Sequence, residues 1–193
     1  KGTGHAVMQV EPHIDTSSKD SLLILAGDCP LIEEDTLRNL ISHHEETNAD
    51  ASILTTSLSD PASYGRILRG KMGSVVGIRE AKDCSEEELL IQEINTGMYL
   101  FKISSLFHSL QFITTNNNQQ EYYLTDVIRI IKEKGGVVSA FCTENSHQAL
   151  GINTRQDLSK VNHILYQRNN DHFMKEGVTI IDIGISYITD PEN

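Results

Sequence analysis

The chain has 193 residues, a formal net charge of -11 at neutral pH and 38% hydrophobic residues. This length suits one domain, or one domain with an appendage, and it is enough to bury a hydrophobic core. The negative charge argues against nucleic acid or an anionic membrane surface as a partner, because both are bound through clustered lysine and arginine. An anionic substrate would therefore need a metal ion, backbone amides or a few well-placed cations.

The cysteines and the apolar segments bear on the cellular compartment. Cys29, Cys84 and Cys142 are widely separated and form no CxxC pair, which predicts neither a disulfide framework nor a zinc site. No apolar run approaches the roughly 18 residues that a membrane span needs. We therefore expect a protein of the reducing cytoplasm that does not enter a membrane.

The first predicted elements are a short helix and a buried strand. Gly2, Thr3 and Gly4 precede a helix-like stretch that reaches Val10. Glycines before a helix can leave its first amides free to bind an anion, although a plain turn explains these residues more simply. Residues 22–26 form an unbroken apolar run, which is typical of a central parallel strand covered by helices on both faces.

The apolar run stops at Gly27 and Asp28. In open α/β sheets, ligands bind beyond the carboxyl ends of the strands, which would place the Asp28 carboxylate at a site. Glycine has no side chain, so a ligand can approach the backbone at Gly27 closely. An equally good explanation is that Asp28 starts a turn or caps the helix predicted from Leu37, Leu40 and His44.

The rest of the chain alternates between predicted strands and helices. This alternation predicts an α/β fold with a mainly parallel sheet and a small antiparallel insertion. The predicted elements are strands at 51–58, 94–102, 137–142 and 149–152, a hairpin at 64–69 and 74–80, an acidic loop at 81–93, helices at 124–134 and 155–176, and a strand or solenoid edge at 178–188.

Several motifs follow one another along nearly the whole chain: GTGHA, AGDCPLI, DPASYGRI, GIREAKD, QEINTGMYLF, NNNQQEYYLTD and LGINTRQDL. Their order and spacing resemble the uridylyltransferase (pyrophosphorylase) domain of the bacterial GlmU family of bifunctional N-acetylglucosamine-1-phosphate uridyltransferases and glucosamine-1-phosphate acetyltransferases. The resemblance implies a Rossmann-like fold of the sugar nucleotidyltransferase type. It also implies an Mg²⁺-dependent enzyme that makes UDP-N-acetylglucosamine and pyrophosphate from UTP and N-acetylglucosamine 1-phosphate for cell-wall precursor synthesis.

The resemblance assigns roles at the nucleotide and metal side of the site. Asp28 is implied as the catalytic Mg²⁺ ligand and Asn153 as the second one, and Mg²⁺ needs only one or two protein oxygens. Ala26 and Gly27 align with the rest of the family's tripeptide at the site. The family often has tyrosine where this chain has Ala26.

The resemblance also assigns substrate-binding residues. Gly2 and Thr3 correspond to the pair that contacts the uracil side of the nucleotide. The residues implied to hold or line the N-acetylglucosamine pocket are Gly65, Glu80, Asn95, Tyr123 and Thr125.

Taken singly, these residues have simpler explanations. Glu80 could pair with Arg79 or Lys82 on a surface strand. Asn95 could cap the entry to a strand, Asn153 could be the N-cap of the following helix, and the glycine of the SYGR motif could be an ordinary turn residue. The motifs together, in order and within an α/β frame, favour the functional interpretation.

The resemblance further implies a domain organisation. We expect a nucleotidyltransferase domain at 1–153 without its amino-terminal Gly-rich loop, a connecting helix at 154–177, and the start of a left-handed β-helix region at 178–193. We expect residues 1–193 alone to be inactive or nearly so, since that loop supplies cations for the triphosphate. We expect the full-length protein to be a homotrimer, and the acetyltransferase half is not present in this chain.

The sequence is also compatible with two other functions. The chain could be a non-catalytic module that binds sugar nucleotides, or a nucleotidyltransferase for another sugar 1-phosphate. A dinucleotide-binding Rossmann domain is disfavoured, because no GxGxxG motif follows a predicted strand.

Overall fold

A computed structural model describes residues 1–189. The chain forms two compact units. Unit 1 comprises Lys1–Ala26 and Glu33–Ser146, and unit 2 comprises Gly27–Ile32 and the chain from His147 onward.

Unit 1 is built on a six-stranded sheet with the order β4-β3-β5-β2-β6, and β1 also pairs with β5. The strands are β1 (Ser21–Ile24), β2 (Ala51–Ser57), β3 (Arg66–Arg69), β4 (Val75–Arg79), β5 (Glu93–Lys102) and β6 (Val138–Cys142). The predicted β3–β4 hairpin is confirmed, since these two strands pair antiparallel from Arg66 opposite Arg79.

The α/β class is confirmed, and four of the six strands run in one direction. Strands β1, β2, β3 and β6 run in one direction, and β2 and β6 pair in parallel. Strand β5 runs against its neighbours β1, β2 and β3, so antiparallel pairing predominates. The opposite direction of β5 does not follow from its sequence, because an apolar run indicates that a strand is buried but carries no information on its direction.

The position predicted for β1 is wrong. Within the described residues, β1 pairs only with β5, in antiparallel register from Ser21 opposite Lys102 to Ile24 opposite Tyr99. Three of its four residues are half-buried and Ser21 is exposed. The central position belongs instead to β5, which lies between β2 on one side and both β3 and β1 on the other.

The helices of unit 1 cover this sheet. They are α1 (Thr3–Met8), α2 (Glu34–Glu46), α3 (Glu86–Leu89), α4 (Ile103–Leu110) and α5 (Thr125–Glu133). The predictions of α1, α2 and α5 are confirmed, and α5 is followed by Gly135 with a φ of +83°, a backbone conformation that glycine adopts readily.

Two helices were not expected from the sequence. Helix α4 was missed because it begins at Ile103, directly after the last residue of β5, so that strand and helix form one apolar run. Helix α3 lies inside the segment predicted as an acidic loop. Its start is stabilised by a capping box, in which Ser85 and Glu88 each bond the backbone N–H of the other.

The core of unit 1 lies between the sheet and helices α4 and α5. Phe101 and Ile53 from the sheet, Leu106 from α4, and Val127 and Ile128 from α5 are almost completely inaccessible to solvent. Truncating a fully buried residue of this kind to alanine costs about 2–5 kcal/mol. The beginning of α5 is thus held in place by its own buried face.

Unit 2 contains one long helix, α6 (Arg155–Lys175). Thr154 is its N-cap and forms a capping box with Asp157, which confirms the predicted helix and its start. The predicted strand at 149–152 is wrong, because the chain forms a 3-10 helix over Ser146–Ala149 and no regular structure over the next residues.

The end of unit 2 also differs from the prediction. Residues 178–189 contain a 3-10 helix at Ile183–Ile185 and no strand, and residues 190–193 lie outside the described part. Alternating apolar residues predicted a strand there, but a strand also requires a partner for its backbone groups. The proposed boundaries at 153/154 and 177/178 stay predictions. Between residues 1 and 189, no helix has the length and apolarity that a membrane crossing requires.

Candidate active site

Two of the predicted sugar-binding residues of unit 1, Gly65 and Asn95, are in contact where the start of β3 pairs with β5. The Asn95 backbone N–H donates to the Gly65 carbonyl oxygen at 2.8 Å. A Cβ atom at Gly65 would lie 3.2 Å from the side chain of Ile78 and 3.5 Å from Glu80 Oε2. Gly65 therefore leaves room for Ile78 and Glu80 to pack closely against the backbone. A glycine that only forms a turn would not need this room.

Glu80 follows β4 and reaches the first residue of α5. Its Oε1 accepts a hydrogen bond of 3.0 Å from the hydroxyl of Thr125. Burial raises the pKa of the Glu80 carboxyl, and the negative charges of Asp83 and Asp126 raise it further. A buried carboxylate whose charge is disfavoured by its neighbours is typical of a functional site.

The simpler explanation of Glu80 as half of a surface ion pair is not supported. Arg79 lies 3.5 Å from Glu88 instead, and Lys82 Nζ donates to Gln119 Oε1 at 3.0 Å. No ion pair of Glu80 occurs between residues 1 and 189.

A small cavity of about 140 Å³ lies beside Glu80. Three carboxylates in its lining, those of Glu80, Asp83 and Asp126, can accept hydrogen bonds from a ligand that offers hydroxyl or amide N–H groups, and Arg79 lines the cavity as well. The lining includes Glu80, Asp83, Asn117, Tyr123, Thr125 and Asp126.

Tyr123 is held at this cavity through its hydroxyl group. The hydroxyl accepts a hydrogen bond of 2.9 Å from Gln119 Nε2, and burial raises the pKa of the phenol. Because Gln119 also accepts from Lys82, it links the segment after β4 to the segment before α5.

Asn95 is buried, and its side chain bonds to its own strand. Its Oδ1 accepts from the Gly97 N–H at 3.1 Å, and its Nδ2 donates to the Tyr99 hydroxyl at 2.6 Å. These bonds orient the amide within β5 and leave one of its two N–H groups for another partner.

Gly2 and Thr3 dock onto the segment that carries Tyr123. The hydroxyl of Thr3 accepts from the Leu124 N–H at 3.2 Å, and the Gly4 N–H donates to the Tyr122 carbonyl oxygen at 2.8 Å. The alternative of a free, anion-binding amide at the start of α1 is therefore wrong for Gly4. The contact of Gly2 and Thr3 with uracil stays a prediction.

The predicted metal ligands Asp28 and Asn153 both belong to unit 2 and converge on Gly151. A Cβ atom built at Gly151 would lie 3.1 Å from Asp28 Oδ2 and 3.5 Å from the Asn153 amide nitrogen. The Asp28 carbonyl oxygen also accepts from the Ile152 N–H at 2.9 Å. Glycine at 151 thus leaves room for both side chains.

Neither residue is a helix cap. The N-cap of α2 is Glu33, and the N-cap of α6 is Thr154. Both Asp28 and Asn153 are exposed, so their side chains are available to a ligand.

The chemistry of this pair fits Mg²⁺. A carboxylate and an amide oxygen are hard oxygen ligands, and Mg²⁺ takes its remaining ligands from water and phosphate. Between residues 1 and 189, no three His, Cys, Asp or Glu side chains are grouped to hold a metal. Burial raises the pKa of the neighbouring Cys29 thiol to about 11, and the Asp28 charge adds to this, so the thiol is neutral.

The other two residues of the tripeptide, Ala26 and Gly27, belong to different units. Ala26, in unit 1, lies against β5, where its Cβ is 3.7 Å from a Cβ built at Gly97. At Gly27, in unit 2, an added Cβ would meet no described atom within 4 Å, so the backbone there is open to approach.

Sequence reasoning missed three residues around these groups: Tyr99, Asp83 and Gln119. Tyr99 reads as a core aromatic, and nothing local marks its hydroxyl as a partner of Asn95. Asp83 and Gln119 lie inside the motifs GIREAKD and NNNQQEYYLTD. Their closeness in sequence to Glu80 and Tyr123 could have identified them as candidates.

Comparison with known families gives a match to the nucleotidyl transferase model over residues 1–170. The chain belongs to the nucleotidyl transferase family. Within it, the chain is 46% identical over 187 residues to the bifunctional protein GlmU of Enterococcus faecalis, covering 97% of this chain and 41% of that protein. It is 43% identical over 187 residues to GlmU of Clostridioides difficile, covering 97% and 40%.

These relatives confirm the resemblance inferred from the motifs. The chain spans about two fifths of the length of the curated GlmU proteins that it matches.

Solved structures of other nucleotidyl transferases share the fold. A UDP-glucose pyrophosphorylase in complex with UDP-glucose superposes with a TM-score of 0.63 at 14% identity, covering 91% of this chain and 63% of that one. A protein from Bacillus anthracis described as a glucose-1-phosphate thymidylyltransferase, in complex with sucrose, gives 0.61 at 15% identity, covering 95% and 64%. At these identities the likeness establishes the fold alone.

Proposed function

We propose that the full-length protein transfers uridylyl from UTP to N-acetylglucosamine 1-phosphate, giving UDP-N-acetylglucosamine and pyrophosphate. The observation that carries the proposal is the assembly of Gly65, Glu80, Asn95 and Thr125 around one part of unit 1. These residues come from separate motifs of a chain that is 46% identical to a bifunctional GlmU protein.

The sugar is bound in this proposal by the cavity beside Glu80. The carboxylate accepts hydrogen bonds from sugar hydroxyl or amide N–H groups, and the remaining N–H of Asn95 donates to a sugar oxygen. A site that buries such polar groups rejects analogues that lack the matching partner, because the protein group is then left without a hydrogen bond.

Mg²⁺ is bound in this proposal by Asp28 and Asn153. When bound, the ion supplies positive charge for the phosphate oxygens of the reactants and aligns the attacking and leaving groups. The role of the protein is to present the Asp28 carboxylate and the Asn153 side-chain amide, which both lie beside Gly151.

The reaction is a single displacement at phosphorus. An ionised phosphate oxygen of N-acetylglucosamine 1-phosphate forms a bond to the α-phosphorus of UTP. The bond from that phosphorus to the oxygen bridging to the β-phosphate breaks, and pyrophosphate leaves with the electron pair. Since the attacking oxygen is already ionised, neither a covalent enzyme intermediate nor a strong general base is needed.

In the same proposal, Gly2 and Thr3 lie beside the uracil of UTP, and Ala26 and Gly27 border the nucleotide. We propose a cytoplasmic protein in which 154–177 connects the catalytic domain to a β-helix region that assembles the trimer.

The test is pyrophosphate release by the full-length protein with UTP, Mg²⁺ and N-acetylglucosamine 1-phosphate. We expect release that a chelator abolishes and excess Mg²⁺ restores. Competition with glucose 1-phosphate and glucosamine 1-phosphate identifies the preferred sugar. A folded protein that binds UDP-N-acetylglucosamine without releasing pyrophosphate would be a binding module, and a preference for another sugar phosphate would change the substrate.

A further inference from the structure

We propose that Tyr99 is a positioning residue, whose buried hydroxyl orients the Asn95 amide for the sugar 1-phosphate across a bulge in β5. The inference rests on the proposed function, because it assigns to Tyr99 the task of preparing a residue of that sugar site. Tyr99 itself belongs to the hydrophobic core and acts through Asn95.

The contact between these two side chains requires an irregular strand. In a regular β-strand, residues four positions apart are separated by about 13 Å along the chain. The Tyr99 hydroxyl nevertheless accepts a hydrogen bond of 2.6 Å from Asn95 Nδ2. Side chains of a regular strand stand roughly perpendicular to the sheet, so this contact points to a distorted backbone between the two residues.

The distortion is visible in the pairing of β5 with β2. Ile53 lies opposite Tyr99 and Thr55 opposite Asn95, so two steps along β2 correspond to four steps along β5. The additional residues of β5 form a bulge, and Gly97 within it has a φ of +79°. Bulges commonly redirect a side chain beside an active site.

The bulge leaves the Asn95 amide with one defined orientation. Its Oδ1 faces the Gly97 N–H and its Nδ2 faces the Tyr99 hydroxyl. Rotating the amide by half a turn would place a donor against the Gly97 N–H, so the bonds favour one arrangement. The second N–H of Asn95 is then presented as a fixed donor.

The anchor for this arrangement is rigid. Tyr99 is 3% exposed, and its ring packs against Phe101 with ring centres 5.6 Å apart. Burial raises the pKa of the Tyr99 phenol, so the hydroxyl stays neutral and can accept the bond from Asn95 throughout the working pH range.

The decisive variant is Tyr99→Phe in the full-length protein. It keeps the ring in the core and removes only the oxygen that orients Asn95. We expect the KM for N-acetylglucosamine 1-phosphate to rise about three- to tenfold, which corresponds to the loss of one hydrogen bond. The KM for UTP should stay within about twofold, because the change concerns only the sugar-binding side chain.

Two further variants separate positioning from a general loss of stability. Ser52→Ala also removes a buried hydroxyl, one that bonds His44 and Ser139, and it should lower Tm without raising the KM for the sugar phosphate. In an Asn95→Ala background, Tyr99→Phe should have no further effect on that KM, because the group it orients is gone.

The outcomes distinguish this inference from the proposed function. An unchanged sugar-phosphate KM in active Tyr99→Phe protein would overturn the positioning role and leave the proposed function intact. Additive effects of Tyr99→Phe and Asn95→Ala would also overturn it. A wild-type protein that neither turns over nor binds UDP-N-acetylglucosamine by calorimetry would overturn the proposed function, and with it the role assigned to Tyr99.

Discussion

The two groups of candidate site residues are built in different ways. In unit 1, Glu80, Asn95, Tyr123 and Thr125 are largely buried and bond to other protein groups; we call these four residues the sugar-site network. In unit 2, Asp28 and Asn153 are exposed around Gly151; we call them the carboxylate–amide pair.

The difference follows from solvation. A buried polar group must find a partner within the protein, so the sugar-site network is ordered before any ligand arrives. An exposed carboxylate is solvated by water, which a cation can displace. The comparison therefore predicts that changes in the network alter stability together with sugar affinity, whereas changes in the pair alter activity alone.

The largest expected effect comes from removing the charge of the pair. We expect Asp28→Asn to lower kcat about 100- to 1000-fold, because several kcal/mol of charge stabilisation at the phosphate oxygens is lost. Tm should stay unchanged, since the side chain is exposed. The measurements are pyrophosphate release against Mg²⁺ concentration and thermal unfolding.

Asp35→Asn is the matched control, because Asp35 is an exposed carboxylate in the first turn of α2. It should retain wild-type activity. If Asp28→Asn and Asp35→Asn turned over equally fast, the metal site would have to be sought elsewhere.

The next effect concerns the buried carboxylate of the network. We expect Glu80→Gln to raise the KM for the sugar phosphate about ten- to a hundredfold, since hydrogen bonds to a charged group are strong. The same change should raise Tm by about 1–3 °C, because it removes a charge that burial, Asp83 and Asp126 disfavour. Steady-state kinetics and calorimetry measure the two effects.

Glu86→Gln, at an exposed position in α3, should change neither quantity. A fall in Tm for Glu80→Gln, accompanied by an unchanged KM, would mean that Glu80 is a structural residue.

A smaller effect should appear on changing pH. The folded protein raises the pKa of Glu80 above the ordinary glutamate value of 4.5, so acid protonates this carboxyl before other glutamates. The KM for the sugar phosphate should therefore increase as the pH falls towards that raised pKa, because the protonated group accepts fewer hydrogen bonds.

The effect of pH on stability has the opposite sign to its effect on sugar-phosphate binding: acid weakens binding but favours the folded state. Because the folded state binds this proton more tightly than the unfolded state, the stabilising contribution of Glu80 is present at pH values below the unfolded pKa. It is lost as the pH rises through the folded pKa. The phosphate of the substrate also titrates, with a pKa of about 6, so Glu80→Gln serves as the control. The KM of this variant should depend less on pH than the KM of the wild type. Parallel profiles would argue against Glu80 as the titrating group.

The smallest effect is expected at the edge of the network. Lys82 bonds Gln119, which in turn bonds Tyr123, but both Lys82 and Gln119 are exposed. We expect Lys82→Met to raise the KM for the sugar phosphate by about threefold or less, as solvent-exposed polar pairs contribute little. Lys71→Met, at the tip of the β3–β4 hairpin, is the control. An effect as large as that of Glu80→Gln would make Lys82 a direct substrate ligand.

Much of the local structure could be predicted from the sequence. Helices α5 and α6 and the β3–β4 hairpin were predicted correctly, because apolar spacing, caps and turn glycines act within a few residues. The motifs also identified Gly65, Glu80, Asn95 and Thr125 as candidates. Their assembly in one part of unit 1 agrees with that selection, while their roles in binding stay predictions.

Other features depended on residues that are distant in the chain. The Gly4 amide is occupied by Tyr122, and residues 178–189 form no strand although their apolar residues alternate. Neither outcome follows from local sequence, because a backbone N–H or C=O group can be satisfied by any segment that the fold brings near it.

By itself, the sequence determined which residues are apolar and with what period, and hence where most helices and hairpins form. The tertiary structure alone decided the direction of β5, its bulge at Gly97 and the contact between Asn95 and Tyr99. The physical reason is that periodicity specifies which face of a strand is buried, whereas direction and register depend on the neighbouring strands with which it shares hydrogen bonds.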